Sequence, residues 1–267
     1  MPILEVTNVS KEFGGLTANK DISLTVNEDS ITAVIGPNGA GKTTFFNLVT
    51  GVYKPTSGEI LVEGKSVVGL KPDEVARRGI SRTFQNIRLF GEMTVLENVL
   101  VGMHKHLKTG LLGILFNLPR TRNEELDAEK EAYRLLEYFE LAPFLNEKAK
   151  NLSYGAQRKL EIARALATKP KLILLDEPAA GMNPKETKEL TEIIKSMGKQ
   201  FNVSILLIEH DMKLVMEISE HIYVLDHGEK IAEGNPDEIR TNPKVIEAYL
   251  GSGAVKLGQR SETSANS

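Results

Sequence analysis

The stretch that decides the fold reads Ile31-Thr32-Ala33-Val34-Ile35, followed by Gly36-Pro37-Asn38-Gly39-Ala40-Gly41-Lys42-Thr43. The first segment is almost continuously apolar and mostly β-branched, which is typical of a strand buried on both faces of a sheet. The second fits the pattern G-x-x-x-x-G-K-[ST], a glycine-rich loop that joins a strand to a helix. The sequence therefore predicts a parallel α/β core built around a phosphate-binding loop.

The residue types of this loop suit a triphosphate. Its glycines let several backbone N–H groups turn towards one anion, and the start of the following helix adds a favourable dipole. We expect Lys42 to reach the β- and γ-phosphates and the Thr43 hydroxyl to bind Mg²⁺. The expected ligand is a nucleoside triphosphate with magnesium, and the alternative is a turn that only connects strand to helix.

A second apolar strand, Leu172–Asp176, ends in two acids, Asp176 and Glu177. The carboxyl ends of parallel strands lie at the edge of the sheet where ligands bind. We therefore expect Asp176 on the side of the magnesium and Glu177 as the general base that polarises a water. The alternative is that both acids only cap the following turn.

His210 follows a third apolar strand at Ser204–Glu209. Its place at the end of a neighbouring strand favours a role as a sensor of the γ-phosphate. The alternative for a single histidine is a hydrogen-bonded core or surface residue.

Composition limits the other classes of function. The chain has 267 residues, 33 Lys and Arg against 36 Asp and Glu, a net charge of −3 and no Cys. This length fits one large α/β domain or two small ones. The slight negative charge argues against a nucleic-acid partner, and the lack of Cys excludes thiolate metal sites. Residues 1–6 lack the pattern of a secretory signal and the apolar segment 111–118 is too short to span a bilayer, so we expect a cytoplasmic protein.

The order of the predicted elements gives the architecture. Strands at 3–9 and 22–26 alternate polar and apolar residues, as in an antiparallel sheet, and the block at about 92–168 is helical in pattern. The alternation of strands and helices resumes at Leu172. We therefore predict an α/β fold: a P-loop ATPase core with a mostly parallel sheet, an N-terminal antiparallel β subdomain and an inserted helical subdomain. The Gly- and Ser-rich end, 252–267, is predicted to be a mobile tail.

The segment Leu152-Ser153-Tyr154-Gly155-Ala156-Gln157 opens the helix that precedes the acidic strand. Together with the motifs above, it resembles the signature motif of the ATP-binding subunits of ABC transporters, and the resemblance covers residues 1–251 as one nucleotide-binding domain. It implies that Phe13 stacks on adenine, that Gln85 is the catalytic and metal-binding glutamine, and that His210 is the switch histidine. The implied phosphate-loop ligands are Gly36, Pro37, Asn38, Gly39, Ala40, Gly41, Lys42, Thr43 and Thr44, and the implied signature ligands are Ser153, Gly155 and Gln157.

The resemblance also implies partners. Two such subunits would bind two ATP molecules head to tail and drive import through a membrane permease, so that this chain would lie on the inner face of the membrane. The second subunit would be either another copy or a related ATPase. Tyr154 and Ala156 depart from the commonest signature, and Asn183 replaces the usual Asp, which predicts a weaker charge-assisted contact between subunits.

Within the family, residues 81–90, residues 178–184 and the spacer near 107–122 look most like the ATPases of branched-chain amino-acid importers. Related ATPases for an amide, urea or lipopolysaccharide system remain alternatives, as do a soluble ABC protein that acts on ribosomes or DNA and a P-loop kinase. The apolar segment 110–118 is predicted either to pack on the helical subdomain or to meet the permease or membrane. Four arginines near Gln85 are predicted to form a solvated face, and the alternative is a site for a polyanion: Arg77, Arg78, Arg82 and Arg88.

Overall fold

The computed structural model describes residues 1–103 and 119–250. The predictions for segment 110–118 and for the tail 252–267 therefore lie outside the described residues. The strands are β1 (Pro2–Phe13), β2 (Leu16–Asn27), β3 (Ile31–Ile35), β4 (Ser57–Val62), β5 (Lys65–Ser66), β6 (Ile80–Arg82), β7 (Leu172–Asp176), β8 (Ser204–Ile208), β9 (His221–Asp226) and β10 (Glu229–Gly234). The helices are α1 (Lys42–Val49), α2 (Pro72–Arg77), α3 (Val95–Met103), α4 (Pro119–Tyr138), α5 (Tyr154–Ala167), α6 (Pro184–Phe201), α7 (Met212–Ile218), α8 (Pro236–Thr241) and α9 (Pro243–Leu250).

These strands form two sheets. The first is antiparallel, with the strand order β2-β1-β4-β5. The second has the order β10-β9-β3-β8-β7-β6, in which every neighbouring pair is parallel except β9 and β10. The predicted α/β fold with a mostly parallel core and an antiparallel N-terminal sheet is confirmed.

The central strands are buried along their whole length because both faces of the parallel sheet are covered. Ile31, Ala33 and Ile35 face a core shared with the helices, whereas Val34 faces a second core shared with the antiparallel sheet and α1. Successive side chains of a strand point to opposite faces, so both sets must be apolar. This explains the continuous apolar pattern from which β3 was predicted.

The helices α3, α4 and α5 lie between β6 and β7 in the chain and pack on one another. Val99, Leu136 and Leu166, one from each helix, belong to the same buried core. The helical pattern predicted for 92–168 corresponds to these helices.

The parallel strands bring the predicted motifs to one edge of the sheet. β8 lies between β3 and β7, so Ile208 pairs with both Val34 and Asp176. The loop after β3, Glu177 after β7 and Glu209 after β8 therefore leave the sheet side by side.

Candidate active site

The phosphate loop, residues 36–41, owes its path to glycines. Gly36, Gly39 and Gly41 have φ values of 152°, 81° and 95°. A Cβ at Gly41 would lie 2.6 Å from the carbonyl oxygen of Ala18, and one at Gly36 would lie 2.0 Å from that of Leu225. Only glycine fits at these two positions. The loop ends at the start of α1, where backbone N–H groups have no partner within the helix.

Lys42, the first residue of α1, is buried with its ammonium turned back onto the loop. Nζ donates hydrogen bonds to the carbonyl oxygens of Gly36 at 2.8 Å and Pro37 at 3.0 Å. Burial lowers the pKa of Lys42, and the carboxylates of Glu177 and Asp176 oppose that shift. The cation is thus held by neutral acceptors, which the oxygens of a phosphate can replace with stronger, charge-assisted bonds.

An open cavity of about 550 Å³ lies in front of the loop. Gln85 and Glu177, from two other parts of the sheet edge, line it together with the start of α1. The full lining is Leu16, Thr17, Ala18, Asn38, Gly39, Ala40, Gly41, Lys42, Thr43, Thr44, Gln85, Glu177, His227 and Gly228. The structure therefore brings the predicted residues from Asn38 to Thr44 together with Gln85 and Glu177, and it adds the start of β2 and the β9–β10 turn, which the sequence did not indicate.

Glu177 follows β7 in a left-handed backbone conformation with φ of 48°. This region is uncommon for residues other than glycine, and such strain is concentrated at functional sites. The Glu177 N–H donates to the carbonyl of Ile208 at 2.9 Å. Its Oε2 accepts a hydrogen bond from Gln85 Nε2 at 2.9 Å and lies 3.8 Å from Nδ1 of the exposed His210. The predicted catalytic residues Glu177, Gln85 and His210 thus lie together.

Asp176 makes an ion pair that the sequence analysis missed. Its Oδ2 accepts a hydrogen bond from Nη2 of Arg82 at 2.7 Å, with the two side chains only 5% and 8% exposed. The other terminal nitrogen of Arg82 donates to Asn47 of α1 at 2.7 Å. The prediction that Arg82 belongs to a solvated face is therefore wrong, because its charge is neutralised by the acid at the end of β7.

Glu209 is a second residue at this edge that the sequence analysis did not single out. It is fully buried, and its carboxylate accepts hydrogen bonds from the backbone N–H groups of Ala179 at 2.8 Å and His210 at 2.9 Å. Burial raises the pKa of Glu209, and these hydrogen bonds oppose the shift. Glu209 ties the segment after Glu177 to the segment that carries His210. Glu209 lies at the end of an apolar strand, as Asp176 does, so the same sequence pattern could have identified it.

The predicted signature residues lie at the start of α5 and do not line the cavity of the phosphate loop. Ser153 caps the helix and accepts a hydrogen bond from the N–H of Ala156 at 3.3 Å. Gln157 Nε2 donates to the carbonyl of Leu152 at 2.9 Å. A Cβ at Gly155 would lie 2.8 Å from Oε1 of Glu186, so glycine allows α6 to approach here.

Tyr154 and Asn183, two of the departures from the commonest motifs, have structural roles. The ring of Tyr154 covers Gly181, where a Cβ would lie 3.2 Å from it. Asn183 caps α6: its side chain accepts from the N–H groups of Lys185 and Glu186, both at 3.0 Å. Asn and Asp are about equally good at this position of a helix, so the replacement preserves the cap.

Phe13, the predicted adenine platform, lies at the end of β1 and is not part of the cavity lining. Its ring is 41% exposed and meets the edge of Tyr53, with 5.2 Å between the ring centroids. The ammonium of Lys11 lies 4.9 Å from the centre of the Phe13 ring. Phe13 is thus partly exposed but already contacts a cation and a second ring, and stacking on adenine stays a prediction.

A phosphate loop at the end of a buried strand, with an acidic strand end beside it, defines the chain as a P-loop ATPase. The sequence model of the ABC transporter family matches residues 19–180, and that of the branched-chain amino acid ATP-binding cassette transporter family matches residues 229–255. The chain belongs to the ABC transporter family, as one of its ATP-hydrolysing subunits.

Individual relatives agree with this assignment. The chain is 52% identical to the high-affinity branched-chain amino acid transport ATP-binding protein BraF of Pseudomonas aeruginosa, over 94% of this chain and 98% of that protein. The same values hold for the protein LivG of Escherichia coli K12, which carries the same description. Both likenesses span nearly the full length of the relatives.

Solved structures show the same fold. The ADP conformation of MJ1267, an ATP-binding cassette of an ABC transporter, is 36% identical with a TM-score of 0.81, over 94% of this chain and 100% of that one. The ADP- and phosphate-bound dimer of the cassette MJ0796 is 27% identical with a TM-score of 0.73, over 87% of this chain and 98% of that one.

Among the helices of the described residues, none has the length and apolar character needed to cross a membrane.

Proposed function

We propose that this chain is the ATP-hydrolysing subunit of an importer of branched-chain amino acids, bound to permease subunits on the inner face of the membrane. The observation that carries the ATPase chemistry is that the phosphate loop, Gln85 and Glu177 line one cavity. The cargo is inferred from relatives that match almost the whole chain and are described as branched-chain amino acid transport proteins.

The phosphate loop would bind the triphosphate of ATP. The N–H groups of the loop and of the first turn of α1 suit phosphate oxygens, and Lys42 would exchange its bonds to Gly36 and Pro37 for bonds to the β- and γ-phosphates. Pro37 would contribute to the shape of the loop. The partly exposed ring of Phe13 would stack on the adenine ring.

Magnesium fits the oxygen atoms available beside the phosphates. Thr43 and Gln85 in the cavity lining offer a hydroxyl and an amide, and Asp176, the last residue of β7, offers a carboxylate. Mg²⁺ is commonly held by few protein ligands together with phosphate oxygens. When bound, it would neutralise charge on the phosphates. Arg82 would keep the carboxylate of Asp176 oriented through their ion pair.

Glu177 would act as the general base. Its carboxylate faces the cavity beside the phosphate loop, and Gln85 donates to it at 2.9 Å. A water in the cavity beside this carboxylate would lose its proton to Glu177 as it attacks the γ-phosphate. His210, at 3.8 Å from the same carboxylate, would donate to the phosphate oxygens as their charge grows.

A second ATPase subunit would complete the site. Ser153, Gly155 and Gln157 start α5 away from this chain's own cavity, so their free groups would serve the ATP bound to the partner. The solved dimer of a related cassette with ADP and phosphate supports such an assembly. The partner would be a second copy or a related ATPase.

The permease would dock beside the segment 85–95. The side chains of Phe90 and Met93 are exposed there, and an apolar cleft of about 280 Å³ lined by Val52, Val75 and Phe84 adjoins it. This surface continues into Gln85, so the docked permease would sense the state of the γ-phosphate. Crosslinkers placed at 85–95 should capture a membrane protein, and capture only from positions 239–250 would refute this surface.

Uptake of radiolabelled amino acids by cells that lack the gene tests the cargo. Wild-type protein should restore uptake of leucine, isoleucine and valine, while the matched Lys42→Ala variant should not. Restored uptake of an amide or of urea instead would replace the proposed cargo. If cells that lack the gene have a defective outer envelope but normal amino-acid uptake, lipopolysaccharide transport would be favoured. If the protein purifies with ribosomes or DNA instead of membranes, a transport role would be refuted.

A further inference from the structure

Arg158 is a buried cation on α5 that the proposed mechanism does not use. Its side chain has no exposed surface, which is rare for arginine. Nη1 donates to the carbonyl of Phe84 and to Oε2 of Glu161, both at 2.7 Å, and Nη2 donates to the carbonyl of Gln85 at 2.7 Å. The guanidinium therefore joins α5 to the two backbone carbonyls that flank the Cα of Gln85.

Glu161 extends this connection along the same loop. Its side chain is only 2% exposed, and its second oxygen, Oε1, accepts a hydrogen bond from the N–H of Arg88 at 3.1 Å. The ion pair Arg158–Glu161 thus engages three backbone groups in the segment 84–88, which we call the glutamine loop. The pair neutralises its own charge, so each charged group can stay buried.

Gln85 is consequently fixed at two ends. Its backbone carbonyl is held by Arg158 of α5, and its side chain donates to Glu177 at the edge of the parallel sheet. The planar guanidinium presents its donors in a fixed geometry, and its bonds to two successive carbonyls determine the orientation of the loop. Any shift of α5 against the sheet would therefore move the Gln85 side chain relative to Glu177.

We infer that Arg158 is a positioning residue for hydrolysis: it sets the distance at which Gln85 meets Glu177 and the attacking water. Glu161 supports it by holding both Arg158 and the N–H of Arg88. The inference rests on the proposed role of Gln85. Through Gln85, the Arg158 side chain would connect α5 to the carboxylate of Glu177.

A double-mutant cycle tests this connection. Steady-state hydrolysis is measured for wild type, Arg158→Lys, Gln85→Ala and the double variant. Arg158→Lys should lower kcat about tenfold while KM for ATP changes less than about twofold, because a residue that acts on the attacking water affects the chemical step. In the Gln85→Ala background the same substitution should change kcat less than about twofold, because the group that it positions is gone.

Lys159→Met is the matched control. This neighbour on α5 is also largely buried, but its ammonium pairs with Glu140 at 2.8 Å and with Glu189 at 3.5 Å, away from the glutamine loop. Lys159→Met should change kcat by the same factor in the wild-type and Gln85→Ala backgrounds. If thermal unfolding shows that Arg158→Lys does not fold, Glu161→Gln takes its place in the cycle, since the single amide oxygen cannot accept from both Arg158 and the N–H of Arg88.

The outcomes separate the two claims. If Arg158→Lys lowers kcat by the same factor with and without Gln85, the loss comes from general disturbance of the fold and the inference is wrong. If Gln85→Ala alone leaves kcat unchanged, the proposed role of Gln85 fails and the inference fails with it. A large rise in KM without a fall in kcat would also overturn it, because that result would place Arg158 in ATP binding.

Discussion

Lys42 is a charged residue whose environment prepares it for a ligand. Its ammonium is buried against two neutral carbonyls, and burial lowers its pKa while two nearby acids oppose the shift. Neutral acceptors compensate a buried charge less well than phosphate oxygens do. The binding of a triphosphate would therefore relieve part of the cost of burying this cation.

Lys42→Ala should weaken ATP binding and hydrolysis together, because the ammonium serves the phosphate both before and during the reaction. We expect a loss in affinity of about tenfold or more, the scale of a charged hydrogen bond. Fluorescent-nucleotide titration and phosphate release measure the two effects. Lys20→Ala, which removes an exposed ion pair with Glu229, is the control. Unchanged affinity and turnover in Lys42→Ala would refute the assignment of the phosphate loop.

Phe13→Ala should loosen ATP binding by roughly 1–3 kcal/mol through the loss of base stacking. Binding of bare tripolyphosphate should not change, since Phe13 lies outside the cavity that faces the phosphate loop. Phe13→Tyr keeps a ring of similar area and should retain affinity. Competition titrations with both ligands measure the difference, and equal losses for ATP and tripolyphosphate would contradict stacking.

Single residues could be predicted from the sequence where the motif is local. The phosphate loop, Glu177 and His210 each follow an apolar strand, and the topology placed them together. Arg82 could not be predicted in this way, because its partner Asp176 lies 94 residues further along the chain. The neighbouring Arg77 and Arg78 are exposed, so a run of arginines gave no indication that one of them is buried.

At the scale of elements, the strands that are buried on both faces of the sheet were predicted most accurately from the sequence. β3, β7 and β8 have continuous apolar patterns and were located within a residue. α7 and β10 were missed for physical reasons. α7 makes about two turns, too few for a helical period to be recognised, and β10 is a partly exposed edge strand without a buried run.

The cap of α6 gives a prediction at this scale. The Asn183 side chain accepts hydrogen bonds from two N–H groups of the first turn, and the Glu186 carboxylate accepts one from the N–H of Asn183 at 3.0 Å. Asn183→Ala should destabilise the protein by about 1 kcal/mol, whereas Asn183→Asp should not. For a chain of this size the loss corresponds to a fall in Tm of roughly 2–4 °C, measured by differential scanning calorimetry. Equal Tm values for Asn183→Ala and wild type would contradict the role of the cap.

At the scale of the whole molecule, the proposed ATP-binding residues lie on two separate surfaces of the chain. The phosphate loop and Glu177 lie at the edge of the parallel sheet, whereas Ser153 and Gly155 start a helix that does not reach this chain's own cavity. A head-to-tail pair of subunits would place each half against the other and would close as a two-fold dimer. ATP would then hold the subunits together until it is hydrolysed.

Glu177→Gln tests this arrangement. The amide keeps the size and shape of the side chain but cannot accept the proton of the attacking water, so hydrolysis should slow by at least ~10²-fold while ATP still binds. Without a release step, the variant should accumulate as a dimer in Mg-ATP and return to monomer when ATP is removed. Size-exclusion chromatography with light scattering measures the oligomeric state. The double variant Lys42→Ala/Glu177→Gln, in which ATP affinity is also reduced, should form less dimer at the same ATP concentration.

A Glu177→Gln variant that stays monomeric in saturating ATP has two explanations, and its turnover distinguishes them. Intact hydrolysis would reject Glu177 as the base, because an amide cannot replace a carboxylate in proton transfer. Absent hydrolysis in a monomer would instead mean that the second subunit is a related ATPase. Asn183 gives a reason to consider that outcome, because a neutral amide cannot make the charge-assisted contacts of the usual carboxylate at this edge. Asn183→Asp in the same background should then restore the homodimer if this charge is what the interface lacks.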